Sequence, residues 1–189
     1  VLGYRAPSFS ITKQAFWALD ILRDLGFRYD TSINPVRHDF YSNHDAPRHP
    51  YWVADGSLLE LPIATWPVFG TNVPVGGGAY LRVLPLATFR RGLRYMNEVE
   101  GAPAMLYLHP WEIDPEQPRL RVPLKSRLRQ YTNLSGMLPR LRKLLQIFQA
   151  GRVIDAYAAE LARPAKPAAL SSAACGSPAT VSGLSPQQA

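Results

Sequence analysis

The sequence predicts an α/β fold, and two observations lead to that class. Short apolar segments typical of strands recur along the chain, and segments with apolar residues at three- and four-residue spacing lie between them. Strands that alternate with helices favour parallel pairing in a layer or a barrel. The chain has 189 residues, of which 47% are hydrophobic, and this is enough for the core of one medium-sized domain.

The first part of the chain predicts a strand, a helix and a second strand. Residues 3–9 predict a short strand that ends in a turn at Pro7. Apolar residues recur at helical spacing over residues 11–25, and Gly26 lies where the glycine that ends a helix belongs. Residues 27–33 then predict a second short strand.

The rest of the chain predicts two strands, two helices and three loops. Residues 34–56 hold three of the four histidines and several aromatic side chains, so the long irregular loop predicted there is expected to be functional. The three glycines at residues 76–78 let the backbone approach another group closely. The other predicted elements are strands at residues 58–63 and 103–110, helices at residues 84–96 and 134–148, a loop that ends in the stretch GGGAYLR, and a polar loop at residues 111–133.

The C-terminal end differs in composition from the rest. We expect residues 1–150 to form one domain and residues 151–163 to end a terminal helix. Residues 164–189 consist largely of Ala, Ser, Pro and Gly. Such a segment cannot bury enough apolar surface to offset the conformational entropy lost on ordering, so we expect a disordered C-terminal tail.

The formal net charge is +7, and much of the basic excess lies in residues 119–143. Arginine and lysine neutralise phosphates, so charge alone would suit a nucleic acid. A charged helix face is more often simply solvated, and we expect no nucleic-acid partner. An anionic polymer, a phosphate-bearing substrate and a membrane surface remain open as alternatives for this segment.

Cysteine content and apolar run length limit the class of protein further. Cys175 is the single cysteine, so the chain forms no intrachain disulfide and no cysteine zinc cluster. No apolar run approaches the roughly 20 residues that a membrane-spanning helix needs. We therefore expect no transmembrane segment.

Four polar residues lie at or near the ends of predicted strands: Arg5, Asp30, Glu60 and His109. In α/β folds, functional side chains collect where strands end and loops begin. The topology therefore predicts that these four side chains converge.

His109 is the strongest single candidate for chemistry. Apolar residues precede it and Pro110 follows it, so its direction is fixed, and an imidazole titrates near neutral pH. It could donate a proton to a leaving group or bind a metal; a rim histidine bonded to a backbone carbonyl is the alternative. Arg5 could hold a carboxylate through two parallel hydrogen bonds, with a structural salt bridge as its alternative.

The other histidines and Trp111 give weaker signals. His38 and Asp39 are adjacent and point to opposite sides of an extended chain, so only a turn would direct both into one site. His44 and His49 are expected to be exposed. The three loop histidines lack the H-x-x-x-H spacing of a helical zinc site. Trp111 could stack on a sugar ring or pack against the core.

Seven stretches follow one another in a characteristic order: GYRAPSFSIT, LGFRYDTSI, PVRHDFY, LLELP, PVGGGAYLR, LYLHPWEIDPEQPR and SRLRQYTNL. In this combination the chain resembles the C-terminal part of the polysaccharide deacetylases of the NodB-homology class. It is most similar to the branch with the DUF3473 C-terminal extension, found beside exosortase and exopolysaccharide loci. The resemblance covers about residues 3–148, and residues 1–150 would form the C-terminal part of the deacetylase domain with that extension.

The resemblance implies a distorted (β/α) barrel that removes N-acetyl groups from polymeric amino sugars. In such hydrolases a divalent metal, usually zinc, binds and polarises water and the acetyl carbonyl. An aspartate deprotonates the water, and a histidine protonates the departing amine. The substrate would be an N-acetylated polysaccharide, in particular an exopolysaccharide.

The resemblance also gives roles to individual residues. Arg5 and Pro7 match the Arg-x-Pro motif, in which the arginine orients the aspartate base and the following amide, that of Ser8, helps to hold the oxyanion. Leu106 and His109 match the Leu-x-x-His-Pro motif, in which the leucine lines the acetyl pocket and the histidine is the general acid. Other residues expected to contact the substrate or to orient these groups are Trp111, His38, Asp39, Glu60 and Arg82.

The chain also departs from the family pattern. The Asp-Asp pair and the paired histidines that bind the metal and supply the base do not occur in it. Because the chain begins at Val1 rather than Met, we expect a fragment that lacks these groups and is inactive alone. The fourth family motif is not recognisable either, so Asp39, Glu60 and Asp114 remain alternatives for the acid that orients His109.

A non-catalytic protein that binds carbohydrate or takes part in exopolysaccharide assembly is the alternative to an enzyme. It would keep the aromatic groove and the basic surface without the metal. The default location is the cytoplasm, with the exopolysaccharide machinery of the cell envelope as a second possibility.

Overall fold

A computed structural model of the chain describes residues 1–37 and 43–163. The strands are β1 (Gly3–Tyr4), β2 (Tyr29–Asp30), β3 (Tyr51–Val53), β4 (Leu58–Glu60), β5 (Thr65–Val68) and β6 (Thr71–Pro74). The helices are α1 (Trp17–Asp24), α2 (Gly78–Val83), α3 (Leu86–Arg94), α4 (Leu124–Tyr131), α5 (Leu134–Leu145), α6 (Val153–Ala156) and α7 (Ala158–Leu161).

The strands form a mixed four-stranded sheet and a separate hairpin. In the sheet the order is β1-β2-β4-β3, with β1, β2 and β4 parallel and β3 antiparallel to β4. Helix α1 supplies the crossover that a parallel β1–β2 pair needs. Strands β5 and β6 pair antiparallel. The predicted α/β class is confirmed, and neither sheet closes into a barrel within the described residues.

Both faces of the four-stranded sheet are covered. Leu58 and Leu59 are neighbours on β4, point to opposite faces, and are 0% and 1% exposed. Leu58 packs with Leu19 and Leu22 of α1, whereas Leu59 packs with Phe9 on the other side. Burial on two faces is typical of parallel strands. Because β1, β2 and β4 run in the same direction, their carboxyl ends lie side by side at one edge of the sheet.

A second core lies between α3, α5 and the hairpin. Phe89 and Leu93 of α3 pack in one cluster with Met137 and Leu144 of α5, and all four are nearly inaccessible to solvent. Their spacing of four residues on α3 and seven on α5 is the pattern that buries one stripe of a helix. The predicted helix at residues 134–148 is confirmed as α5, and the one at residues 84–96 as α3 followed by a single π-helical turn, Tyr95–Val99.

The N-terminal elements follow the prediction with shifted boundaries. Strands β1 and β2 lie within their predicted spans, but helix α1 begins only at Trp17, after a 3₁₀ turn at Lys13–Ala15. Gly26 has a φ of +82°, the left-handed conformation that a glycine after a helix adopts. Strand β4 covers the first half of the predicted strand at residues 58–63.

Three predicted loops contain regular structure, and those predictions are wrong. Strand β3 lies inside residues 34–56, the β5–β6 hairpin and α2 occupy the stretch around GGGAYLR, and α4 lies inside residues 111–133. The prolines and the glycine of the hairpin gave it the composition of a loop. The pairing of β5 with β6 and the packing of the hairpin on α3 stabilise it as a sheet instead. Within the part of the chain that the structure describes, the predicted strand at residues 103–110 makes a single bridge, Gly77 to Tyr107.

The C-terminal described residues pack back on the sheet side of the molecule. Helices α6 and α7 lie within residues 151–163. Tyr157, between the two helices, is buried and donates its hydroxyl hydrogen to the Pro103 carbonyl at 3.1 Å. The tail expected at residues 164–189 lies outside the described residues. No helix in the described ranges has the length and apolarity needed to cross a membrane.

Candidate functional site

The carboxyl ends of three parallel strands bring Arg5, Asp30 and Glu60 together. Arg5 directly follows β1, Asp30 ends β2 and Glu60 ends β4. The register pairs Tyr4 with Asp30 and Asp30 with Glu60, so the two acids are direct neighbours across the strands. Side chains that alternate along a strand and share a register position lie on the same face. The strand order thus places the two acids side by side, with Arg5 close enough that their charges oppose the lowering of its pKa by burial.

Asp30 and Glu60 form a buried carboxyl pair. Both residues are 0% exposed. The Ser32 hydroxyl donates to Asp30 Oδ1 at 2.7 Å, and the Ile33 backbone N–H donates to Glu60 Oε1 at 2.9 Å. Within the described residues, Glu60 Oε2 receives no donor, while the two carboxyl groups are in hydrogen-bonding contact. Two carboxyls bond to each other only when one of them carries a proton.

The electrostatics make Glu60 the more readily protonated member of the pair. Burial, followed by the adjacent Asp30 charge, raises the pKa of Glu60 well above its usual range. Burial also raises the pKa of Asp30, but hydrogen bonds from Ser32 and from Glu60 oppose that rise. Asp30 is therefore expected to ionise before Glu60 does.

Arg5 lies between this pair and an aromatic residue. Its Nε and Nη2 donate to Thr31 Oγ1 at 3.0 and 2.9 Å. Its guanidinium carbon is 4.1 Å from the centroid of the Tyr107 ring, a cation–π contact. Burial lowers the pKa of Arg5, while the charges of Asp30 and Glu60 act in the opposite direction. Among the described residues, no carboxylate forms an ion pair with Arg5 within 4 Å.

His109 lies on the other side of Tyr107. The Tyr107 hydroxyl contacts His109 Nε2, and the two rings meet edge to face with centroids 4.5 Å apart. The Trp111 ring stacks on the imidazole, with centroids 5.4 Å apart and ring planes at 27°. The His109 side chain is still 41% exposed. A ring held between two aromatic neighbours and open to solvent can meet a substrate in a fixed orientation.

The Glu112 carboxylate contacts both the backbone and the ring of His109. Residues Pro110–Ile113 form a 3₁₀ turn that directs the Glu112 side chain back toward His109. The His109 backbone N–H donates to Glu112 Oε2 at 2.9 Å, and His109 Nδ1 is 3.5 Å from the same oxygen. The acid that contacts His109 is therefore Glu112, which is not among the three acids that the sequence left open.

Arg82 holds Glu112 in place. Arg82 Nε lies 3.2 Å from Glu112 Oε1, and both side chains are at most 2% exposed. Three further guanidinium hydrogens are donated to the backbone carbonyls of Arg129, Gln130 and Thr132 at 2.9 to 3.1 Å. A buried ion pair is tolerated when hydrogen bonds satisfy the rest of both groups.

One of the three glycines makes room for Glu112. A Cβ on Gly78 would lie 2.1 Å from Glu112 Oε2, closer than any contact two such atoms can make. A Cβ on Gly76 would likewise collide with the Met105 carbonyl oxygen at 2.5 Å. Residues 76–78 thus approach two groups closely: the Glu112 side chain, which contacts His109, and the extended segment at Met105 that leads to His109.

Family models bear directly on these residues. Residues 31–158 match the family described as Domain of unknown function (DUF3473). This is more than half of the chain.

The chain belongs to the DUF3473 family.

The DUF3473 match includes Tyr107, His109 and Glu112, whereas Arg5 and Asp30 lie just before it. Comparisons with curated proteins and with solved structures gave no match. The family description carries no activity, so the residues themselves have to support a function.

The turn after Arg5 is strained in this DUF3473 chain. Pro7–Phe9 form a 3₁₀ turn in which Ser8 and Phe9 have φ values of +55° and +52°. Left-handed φ is uncommon for residues with a side chain, and such strain concentrates at functional sites. Ser8 is exposed, and its backbone N–H has no acceptor among the described residues. An amide left open beside Arg5 can bind an anion.

Leu106 lies away from this site. Tyr107 packs with the sheet-side cluster that contains Phe9, whereas Leu106 and Leu108 pack with the α3–α5 core. Alternation along an extended segment explains this, because neighbours point to opposite sides. Leu106 lines a cavity of about 240 Å³ on the α3–α5 side instead.

The other predicted site residues are distributed as follows. Trp111 is half-buried and contacts both His109 and Arg82. Glu60 and Arg82 belong to the site, and both are buried among their neighbours. His38 and Asp39 lie outside the described residues. Asp114 accepts the backbone N–H of Glu116 at 3.0 Å.

Sequence reasoning missed two residues that join the site together, Tyr107 and Glu112. Tyr107 precedes His109 by two positions, and residues two apart on an extended chain share a side. Glu112 follows His109 by three positions, the spacing at which a glutamate returns to the backbone N–H before a helical turn. Both signals are local and readable.

The described residues do not fit a resident metal. Zinc sites require three or four His, Cys or carboxylate ligands around one point. No group of three or more such side chains comes together in residues 1–37 and 43–163. Asp30 and Glu60 are two neighbouring carboxyl groups, which is fewer than the ligands that a zinc site needs.

Proposed function

We propose that this chain contributes part of the catalytic site of a polysaccharide N-deacetylase of the NodB-homology class. The supporting observation is that Arg5 and His109, the residues of the two motifs that carry the resemblance, meet at Tyr107. Arg5 stacks on one side of that residue and His109 contacts its hydroxyl. Two motifs a hundred residues apart in the sequence would not share one aromatic contact by chance packing of a solvated surface.

The reaction is the hydrolysis of an N-acetyl group. Water adds to the acetyl carbonyl carbon, the C–N bond breaks, and the products are acetate and a free amine on the sugar. The amine is a poor leaving group until its nitrogen receives a proton. His109 is the proton donor in this proposal, because its imidazole is accessible and is oriented by Glu112 and Trp111.

The Ser8 backbone N–H would stabilise the oxyanion that forms when water adds. It is exposed, it is held in a strained turn, and it has no acceptor within the described residues. Donors that are fixed before the reaction stabilise developing charge more than mobile ones do. The strain of two successive left-handed residues is consistent with a backbone conformation kept for function.

Arg5 would orient a carboxylate base. A fully buried arginine would direct its donors to protein acceptors, whereas within residues 1–37 and 43–163 Arg5 donates only to Thr31 and presents its guanidinium face to Tyr107. The base and any metal would be contributed by residues other than those described. The partial barrel implied by the resemblance is part of the proposal: β1, β2 and β4 would be its parallel strands, with the site at their carboxyl ends.

A non-catalytic carbohydrate-binding role is the second candidate, and the row of rings favours it. Tyr107 meets His109 edge to face, and His109 in turn stacks on Trp111. Aromatic platforms of this kind bind the apolar faces of sugar rings. This role would need neither a base nor a metal.

Acetate release distinguishes the two functions. The protein, purified as its gene encodes it and supplied with zinc, is incubated with an N-acetylglucosamine polymer and with an O-acetylated polymer that lacks N-acetyl groups. The proposal predicts acetate and new free amines from the first polymer only. Binding of the polymer without acetate release would favour the carbohydrate-binding role and would refute the enzyme.

A further inference from the structure

Helix α4 is the element whose side chains the fold leaves uncovered. None of its eight residues is buried. Leu124 and Leu128, one turn apart on the same face, are 70% and 58% exposed, and Leu120 in the approach to the helix is 68% exposed. Helices in small domains normally bury an apolar stripe. Uncovered leucines at this spacing indicate a face that meets something else.

The same segment carries a dense positive charge. Residues 119–131 contain Arg119, Arg121, Lys125, Arg127 and Arg129, and no acidic residue occurs anywhere from residue 117 to residue 154. Arg119, Arg121 and Arg127 form no ion pair with another described residue. They line one open cleft of about 690 Å³ together with Tyr131, Leu120 and Val122.

The segment is held in a defined position. Arg119 lies 4.6 Å from the centroid of the Tyr131 ring, and the Leu120 backbone N–H donates to the Tyr131 hydroxyl at 2.9 Å. The C-terminal end of α4 is attached to the body through the carbonyls that accept hydrogen bonds from Arg82. The leucines and arginines of residues 119–131 therefore form one fixed basic, apolar surface.

We infer that this basic apolar surface docks on a membrane surface that contains anionic phospholipids. Arginine and lysine are attracted to the lipid phosphates, and the exposed leucines enter the boundary between head groups and acyl chains. Both the basic side chains and the exposed leucines of the surface therefore interact favourably with this partner.

Other partners match only half of the surface. An anionic polysaccharide would pair with the arginines but leave the leucines in water. A second copy of the chain would cover the leucines but place basic residues against basic residues, which costs free energy. The charge and the exposed leucines together favour the lipid. This inference does not depend on the proposed deacetylase activity.

The test is co-sedimentation of the full chain with lipid vesicles. Vesicles of phosphatidylcholine alone are compared with vesicles that also contain phosphatidylglycerol. We expect binding to the anionic vesicles and at least about tenfold weaker binding to the neutral ones, because each basic residue near an anionic surface contributes roughly a factor of five.

Two variants separate the charges from the leucines. The triple variant Arg119→Gln, Arg121→Gln and Arg127→Gln should bind the anionic vesicles about 100-fold more weakly, at about fivefold for each lost charge. The charge-matched control changes three exposed arginines elsewhere, Arg91→Gln, Arg94→Gln and Arg152→Gln, and should bind within about threefold of the wild type, because those charges lie off the docking surface.

The double variant Leu124→Ser and Leu128→Ser retains every charge and should still bind at least about tenfold more weakly, because it loses the apolar insertion. Circular dichroism of each variant confirms that the exposed substitutions leave the fold intact. Equal binding to neutral and anionic vesicles would overturn the inference, as would a control as weak as the triple variant. A double variant that binds like the wild type would also overturn it and would favour a soluble polyanion as the partner.

Discussion

The guanidinium carbon of Arg5 lies 4.1 Å from the centroid of the Tyr107 ring. The hydroxyl of the same tyrosine contacts Nε2 of His109. Tyr107 thus connects the residue at the end of β1 with the histidine of the Leu-x-x-His-Pro motif. The Tyr107 ring contacts the arginine and its hydroxyl contacts the imidazole, so a substitution that removes the hydroxyl alone separates the two contacts.

Tyr107→Phe should reduce deacetylase turnover about tenfold or more without destabilising the protein. The phenyl ring keeps the contact with Arg5, while His109 loses the hydroxyl that fixes its orientation, and small errors in placing a catalytic group are costly. The measurements are acetate release and the midpoint of thermal unfolding. Tyr4→Phe, a half-exposed tyrosine outside the site, should leave both unchanged. Unaltered turnover in Tyr107→Phe would show that the hydroxyl contact has no role in catalysis.

Glu60→Gln should flatten the dependence of stability on pH. Burial and Asp30 raise the pKa of Glu60 in the folded protein, so above the unfolded pKa of about 4.3 the folded state binds more protons than the unfolded state. Stability contributed by this group is complete below that pH and is lost as pH rises toward the folded pKa. Glutamine cannot ionise, and its Nε2 can donate to Asp30 in place of the acid proton.

Urea unfolding measured from about pH 4.5 to about pH 7.5 tests this sign. The free energy of unfolding of the wild type should fall relative to that of Glu60→Gln as pH rises, at about 1.4 kcal/mol for each unit of the raised pKa. Glu98→Gln changes a carboxylate whose side chain is 70% exposed and should follow the wild type. Parallel curves for Glu60→Gln and the wild type would contradict a raised pKa of Glu60 in the folded protein.

Arg82→Ala should lower the free energy of unfolding by about 3–5 kcal/mol. The substitution leaves the Glu112 carboxylate buried without its cation and removes the donors to three backbone carbonyls. Arg94→Ala removes an arginine from an exposed pair, whose nitrogen and oxygen are 3.9 Å apart, and should cost less than about 1 kcal/mol. Similar losses in the two variants, measured by urea unfolding, would mean that the Arg82–Glu112 pair does not support the site.

The sequence predicted the parts of the fold that depend on local periodicity. The spacing of apolar residues indicated α1, α3 and α5, and the glycine at position 26 adopts the expected left-handed conformation. The carboxyl-end rule for parallel strands also indicated that Arg5, Asp30 and Glu60 would meet. These predictions rest on interactions within one element or between neighbouring strands, which a linear pattern records.

The missing elements depend on contacts that the linear pattern does not record. The β5–β6 hairpin contains Pro67, Gly70 and Pro74, residues typical of loops, and is stabilised by its packing against α3. Helix α4 buries none of its residues, and its two leucines, Leu124 and Leu128, make an apolar pattern of only one turn. The role of Glu112 depends on its contacts with Arg82 and Gly78, which lie 30 and 34 positions before it in the chain.

Acetate release by His109→Ala is the most direct test of the proposed deacetylase. His109→Ala should lower turnover by a factor of about 10²–10⁴, as the loss of a general acid does, while binding of the N-acetylated polymer is retained. His49→Ala removes a histidine that is 46% exposed and outside the site, and should retain wild-type turnover. A protein that releases acetate equally well with and without the His109 imidazole would contradict the account.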